Sequence, residues 1–405
     1  MEVVGVVVEY NPFHNGHQFH LSAARADTGA DLVIAVMSGN FLQRGEPALC
    51  DKWTRARMAL LGGADLVFEL PYQFAVQQAE TFADGAVSIL SAAGCRSLCF
   101  GSEAGDTSAF IRTLDFLEEK DTAYQHNIKA HLSTGVSYPK AASLSFKELQ
   151  PGENLVDLSL PNNILGLQYI RAIRSQTSRM KPVTITRKNA GYHDEHFSSE
   201  SIASATSIRK AIQEGQSVEQ VNKYFPPTTS RLLQNYLNTY GQFHTWDQYW
   251  PLLKYRLIQC SAEELREIYE MEEGLEHRVK KAAITAVSFS QFMESIKTKR
   301  YTWTRLQRAC VHILTNAKKT EMEEFKRAQY LRLLGMTQKG RRYLQSHKKN
   351  LGLPLVSKAS SCRKGELDLD IKASRIYSLG ISGRAQEELL KKEFAQSPVF
   401  EDSIG

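Results

Sequence analysis

No stretch of this chain approaches the roughly eighteen uninterrupted apolar residues that a membrane-crossing helix needs. The apolar run near the start is only a few residues long, has no basic leader and ends at Glu9. Neither a membrane span nor a signal peptide is therefore expected. Paired cysteines are also missing. Cys50, Cys95, Cys99, Cys260, Cys310 and Cys362 are scattered, with no Cys-x-x-Cys among them. That argues against a zinc ribbon or a disulfide framework and for reduced thiols in a cytoplasm. Internal repeats and low-complexity tracts are absent as well.

What is present is a chain of 405 residues, 42% hydrophobic and 23% charged, the composition of a soluble globular protein too long for one ordinary core. The net charge of +6 is unevenly placed. Residues 1–215 hold 19 Lys and Arg against 23 Asp and Glu, whereas 216–405 hold 31 against 21. Within 295–349 the ratio is 15 basic to 3 acidic residues. Such polarity suggests that one half does chemistry while the other grips a polyanion.

The first half alternates strand and helix signals. Strands are expected at 3–9, 31–37, 65–70, 97–101 and 183–188, with helical stripes at Trp53, Ala56, Ala59, Leu60 and at Phe82, Ala86, Ile89, Leu90, Ala93, the latter closed by Gly94. Apolar strands separated by amphipathic helices predict an α/β fold: a Rossmann-like, doubly wound parallel sheet covered on both faces. Ligands in such folds sit beyond the carboxyl ends of the strands, where the strand order reverses. From about 216 the strand signals fade into a mainly α-helical C-terminal region. Leu306, Ala309, Cys310, Ile313 and Leu314 recur at helical spacing, and Glu263 to Glu276 reads as a charged helix. Pro226-Pro227 reads as a linker, and strand-like pieces recur near 353–357 and 375–379. The expected division is 1–215, catalytic, and 216–405, helical and basic.

The densest chemistry follows the first strand, at Asn11-Pro12-Phe13-His14-Asn15-Gly16-His17. A turn leads into a helix whose first residues carry two imidazoles and a glycine that lets a ligand approach the backbone. Unpaired N–H groups and the dipole at the helix start favour an anion there. The turn lacks the glycines and lysine of a P-loop. Two other readings stand beside a phosphate cradle. One is an inert surface turn. The other is a metal site built from His14, His17 and His20, but their spacing differs from His-Glu-x-x-His and no carboxylate lies among them, so no metal ligands are expected.

His-x-Gly-His after a first strand resembles the signature of the nucleotidylyltransferase and class I aminoacyl-tRNA synthetase superfamily. Ser204-Ala205-Thr206-Ser207-Ile208-Arg209 is similar to its second motif, at the start of a later helix. Across essentially the whole chain, Val8 to His17, Met37 to Pro47, Phe68 to Tyr72, Pro161 to Gly166 and Lys299 to Arg308 resemble the bacterial family of tRNA(Met)-cytidine acetate ligases. That resemblance implies an ATP loop over Val7, Val8, Glu9, Tyr10, Asn11, Pro12, Phe13, His14, Asn15, Gly16, His17, Gln18, Phe19 and His20. It also implies ATP contacts at Gly101, Asn162 and Arg187, with Lys188 beside the last. His14, His17 and Arg209 are the expected catalytic groups, and Thr206 and Ser207 join the nucleotide site. For Ser204, Thr206 and Ser207 plain helix capping is the competing reading, for Asn162 a cap after Pro161, and for Arg187 a solvated strand end.

The implied reaction has two steps. Acetate attacks the α-phosphorus of ATP, giving acetyl-adenylate and pyrophosphate. N4 of the wobble cytidine in elongator tRNA(Met) then attacks the acyl carbon and releases AMP. Mg²⁺, if used, is expected to be held mainly by ATP. For the RNA, Lys297, Lys299, Arg300, Arg305, Arg308, Lys318 and Lys319 surround Tyr301 and Trp303, a mixture that suits phosphates and unstacked bases. A solvated cationic helix with Trp303 in the core is the plainer alternative. Two other functions fit parts of the pattern: an adenylyltransferase acting only on small molecules, and a non-catalytic tRNA-binding protein. The oligomeric state is left open, a homodimer included.

Overall fold

The computed structural model describes residues 1–149, 152, 154–187, 203–362 and 365–401. Eight strands form one sheet: β1 Val3–Val8, β2 Leu32–Ser38, β3 Leu66–Leu70, β4 Ser97–Ser102, β5 Lys181–Thr186, β6 Leu331–Thr337, β7 Leu355–Val356 and β8 Val399–Glu401. Their order is β5-β4-β1-β2-β3-β6-β7, with β8 paired to β6. The first five are parallel, as the alternation of apolar strands and helices predicts.

Every residue of β2 and β3 is buried, because helices cover both faces. Alternate residues feed two cores. Val3, Ile34, Val36 and Phe68 pack with Phe82, Leu90 and Phe110 on one face. Val4, Val6, Val33 and Ala35 pack with Leu21, Trp53 and Ala56 on the other. Gly5 permits the close approach of helix Ala79–Ala92 to β1, since a Cβ there would lie 2.5 Å from Leu90 Cδ2. A third core, with Trp250, Leu253, Phe292, Leu306 and Cys310, belongs to the helical half but also takes in Phe41 and Tyr72.

Several expectations are corrected. β5 begins two residues earlier than expected and ends at Thr186. The strand-like piece at 375–379 falls in a helix, Asp368–Ser378, whose buried Ala373 and Tyr377 are four apart. The charged stretch Glu263 to Glu276 is not one helix. Helix Ala262–Arg266 stops, Glu270 and Glu273 adopt positive φ, and a new helix begins only at Leu275. Pro226-Pro227 is no linker: Pro227 opens helix Pro227–Tyr240, whose Leu232, Leu233 and Tyr236 pack into the sheet core. Finally, β6 returns from the second half and pairs antiparallel with β3, so a cut at 215/216 divides one sheet between two segments.

Candidate active site

The strand order turns at β1, with β2 and β3 on one side and β4 and β5 on the other. At the carboxyl ends of β1 and β4 lies a cleft of about 1490 Å³. This is where a switch point places a ligand. Val7, Val8, Glu9, His14, Gly16, His17, Phe19 and His20 line it from the first motif, and Gly101, Asn162 and Arg187 from the neighbouring strands and helix. Tyr10, Asn11 and Phe13 lie buried instead, supporting the turn, and Gln18 points to solvent. The Asn15 side chain is turned to the Lys223 carbonyl.

His14 is the N-cap of α1 (Asn15–Thr28). Its Nδ1 accepts the Gly16 N–H at 3.1 Å, and its own backbone N–H donates to His17 Nδ1 at 3.3 Å. The two rings stack with centroids 3.7 Å apart. Burial, with Arg187 and Arg209 nearby, lowers the His14 imidazole to about 3. Burial also holds His17 well below its ordinary range. Each ring is therefore neutral at physiological pH with Nδ1 used as an acceptor, which leaves its proton on Nε2. Two N–H donors thus serve one spot without a net charge between them.

Ser204 caps helix Ala205–Gln213, its Oγ accepting the Ser207 N–H at 3.0 Å. Ser207 is buried, donates its hydroxyl to the Ser204 carbonyl and stands outside the cleft lining, whereas Thr206 and Arg209 line it. Arg209 spans the first motif and the next loop: it donates to the Asn11 carbonyl at 3.0 Å and to Glu46 Oε2 at 2.8 Å. Its remaining N–H groups are available for a phosphate. Asn162 is inside helix Pro161–Ser175 rather than capping it. Glu103 takes that helix start, accepting from Asn162 Nδ2 and the Asn163 N–H, while Arg187 donates to Asn162 Oδ1 at 3.4 Å. Gly101 lies against Arg187, whose Cγ a Cβ there would approach to 3.3 Å. Lys188 lies outside the described residues.

Three contributors were not singled out from sequence. Arg55 is fully buried and donates to the carbonyls of Glu9, Ser38, Gly39 and Cys50, knitting together the ends of β1 and β2. Arg44 and Glu46 reach the cleft from the loop after β2. Nothing in a helical stripe marks an arginine as internal, so only the spacing of Trp53 and Ala56 around Arg55 hinted at it.

The basic region meets the interrupted acidic segment. Arg308 forms a two-atom pair with Glu270, the closest contact at 2.6 Å, Lys318 pairs with Glu267 at 2.9 Å, Arg305 with Glu272 at 3.4 Å and Arg300 with Glu273 at 3.5 Å. Lys319 donates to the Met271 carbonyl, and Lys297 to the carbonyls of Thr298 and Tyr301. Tyr301 is buried under the Arg305 guanidinium, so its ring is not a surface for stacking a base. Trp303 is partly exposed. Arg305 and Arg308 nevertheless line the same cleft as the histidines, bringing the second half to the nucleotide motif. Among the described residues no group of three His, Cys, Asp or Glu side chains could hold a metal ion. Nor is any helix among them long and apolar enough to cross a membrane.

A histidine-capped helix at the switch point of a parallel sheet, faced by an arginine on a later helix start, defines a nucleotidyl transferase. The HIGH Nucleotidyl Transferase family model matches residues 1–393, and the chain belongs to that family. The tRNA(Met) cytidine acetate ligase of Bacillus licheniformis is 49% identical over 407 residues, covering 99% of this chain and 98% of the relative. That of Geobacillus sp. (strain WCH70) is 50% identical over 406 residues, covering 99% and 100%. Crystal structures of Thermotoga maritima TmcAL, apo and bound with alpha-thio ATP, match over the full length of both chains, with TM-scores of 0.92 and 0.90 at 34% and 33% identity. Within the HIGH family, then, the chain is a member of the tRNA(Met) cytidine acetate ligases.

Proposed function

We propose that this chain activates acetate with ATP and joins it to N4 of the wobble cytidine of elongator tRNA(Met). The observation that carries the chemistry is the pair of neutral imidazoles at the start of α1, each offering Nε2–H to the cleft at the switch point. Acetate attacks the α-phosphorus, and the bond to pyrophosphate breaks. As charge gathers on the departing oxygens, His14 and His17 donate to them, Arg209 adds a guanidinium and the helix start adds its dipole. Arg187 reaches phosphate from the end of β5, Gly101 gives the nucleotide room, and Asn162 meets a base edge or hydroxyl. The mixed anhydride is held out of water until the cytidine arrives. Any Mg²⁺ would be held chiefly by the triphosphate, whose charge it would offset.

Residues 1–215 supply the nucleotide chemistry, and the basic segment from Lys297 to Lys319 carries the RNA. Lys297, Lys299 and Arg300 are its exposed members, the ones a phosphate backbone would reach first. A wobble cytidine is already unpaired, so presenting it to the cleft requires little unstacking. The setting is the cytoplasm, where ATP, acetate and tRNA occur together.

The test is to incubate the protein with ATP and labelled acetate, with tRNA(Met) or without RNA. Label in the tRNA is the expected result. Label only in acetyl-adenylate or another small molecule would make the chain a small-molecule adenylyltransferase. No label in any product would leave a binding protein.

A further inference from the structure

The acyl-transfer step needs a proton acceptor that the two histidines cannot be. N4 of cytidine attacks the acetyl carbon, the carbon–nitrogen bond forms, and the carbon–oxygen bond to AMP breaks with its electron pair leaving on the phosphate. One N4 proton must then be removed. His14 and His17 are neutral donors whose Nδ1 atoms are already occupied, so neither has a free lone pair. His20 lines the cleft, but burial lowers its imidazole to about 4, which makes it a poor base.

That leaves the carboxylates around the cleft. Glu46 is tied to Arg209, Glu270 to Arg308, Glu272 to Arg305 and Glu118 to Arg174. Glu80, Asp121 and Glu323 are exposed at its outer reaches. Glu9 differs from all of these. It follows β1 directly, five residues before His14, and its backbone carbonyl is held by Arg55 at 2.7 Å. One carboxylate oxygen accepts the Gln43 N–H at 2.8 Å, and among the described residues the side chain makes no ion pair. We infer that Glu9 is the general base of acyl transfer, taking the N4 proton as the amide bond forms; this rests on the function proposed above.

The surroundings suit that task. Burial pushes the Glu9 carboxyl up from its ordinary range, against the opposing pull of the Gln43 N–H, Arg44 and Arg209, while Glu46 reinforces the rise. Tyr169, from helix Pro161–Ser175, also lines the cleft, and burial with the Glu9 charge keeps it protonated. A base whose pKa lies closer to neutrality is the more effective one at physiological pH.

The experiment separates the two half-reactions in Glu9→Gln and Glu9→Asp. Acetyl-adenylate formation is followed with ATP and acetate alone, and acetyl transfer is followed in a single turnover after tRNA(Met) is added. Transfer in Glu9→Gln, read per acetyl-adenylate formed by the same variant, should fall about 100-fold or more and lose its rise with pH, a loss that exceeds any loss in adenylate formation. Glu9→Asp, retaining a carboxylate, should recover part of the transfer rate and the pH dependence. Equal loss of both steps in Glu9→Gln and Glu9→Asp would assign Glu9 to nucleotide binding or folding and overturn the role, as would unchanged transfer. A parent enzyme that labels no tRNA overturns the proposed function and this role with it; a parent that labels tRNA as fast as Glu9→Gln overturns this role alone.

Discussion

Protonation at individual imidazoles decides much of what this cleft can do. His14 and His17 sit three residues apart, yet their roles follow from two backbone hydrogen bonds that fix the tautomer of each ring. On the proposed function, replacing His17 with Ala removes one phosphate donor and should cost about 2.7–4 kcal/mol of transition-state stabilisation, a drop of roughly 10²–10³ in AMP formation. Affinity for tRNA, measured by filter binding, should hardly change; a parallel loss of both would mean a damaged fold. The same burial carries a pH signature. His14, His20, His244 and His312 are lowered from 6.5 to about 3, 4, 3 and 3, in each case mainly by burial. Below pH 6.5 the unfolded chain takes up protons that the folded chain does not, so stability is lost as the pH falls toward those lower values. Thermal melts stepped downward from neutral pH should show the transition temperature dropping from about pH 6.5, before most carboxylates titrate.

Single elements explain why the basic region is a narrower surface than its composition suggests. The stretch from Glu267 to Glu273 runs as an irregular connection rather than a helix, and four of its carboxylates reach the cations expected to hold RNA. The three solvent-exposed pairs add little stability and Arg308–Glu270 is largely buried, but each must be broken or bypassed before its cation can meet a phosphate. Lys297 and Lys299 have no carboxylate partner among the described residues, and the Arg300–Glu273 pair is open to solvent on both sides. Converting these three to Ala should weaken tRNA binding and flatten its dependence on salt, because each lost phosphate contact removes about 0.7–0.9 from the logarithmic slope. An unaltered slope would take the patch out of the interface.

Taken whole, the molecule is joined across its two halves by buried charge. Lys52, at the start of α2 (Lys52–Leu61), is fully buried and pairs with Glu69 of β3 at 2.7 Å and Glu393 near the far end of the chain at 2.8 Å. Arg332 of β6 lies beside Glu393 and over the Trp53 ring. Lys52→Met leaves Glu69 unpaired in the interior and Glu393 with Arg332 alone, and should lower the unfolding free energy by about 3–5 kcal/mol in urea titrations. Because β6 pairs with β3, a fragment of residues 1–215 exposes a strand edge and part of two cores. Such a fragment is expected to aggregate or melt non-cooperatively, whereas an independent domain would show one sharp transition.

The amino-acid order determined the first five strands, the helices between them and the turn that carries the histidines. Those are local consequences of β-branched runs, 3.6-residue stripes and a glycine at a helix start, each readable within a dozen residues. Tertiary structure decided everything that depends on partners far apart in the chain. Strand β6 carries no clear local signal because Arg332 and Gly335 interrupt its apolar run, and its burial is supplied by β3, Trp53 and Glu393 from distant parts of the chain. Residues 375–379 resemble a strand because a short apolar run has no period of its own until something packs against it. Which cations are paired, which arginine is internal and which carboxylate makes no ion pair among the described residues are decided the same way. A charge acquires its role from what folding sets beside it, and no local pattern records that neighbour.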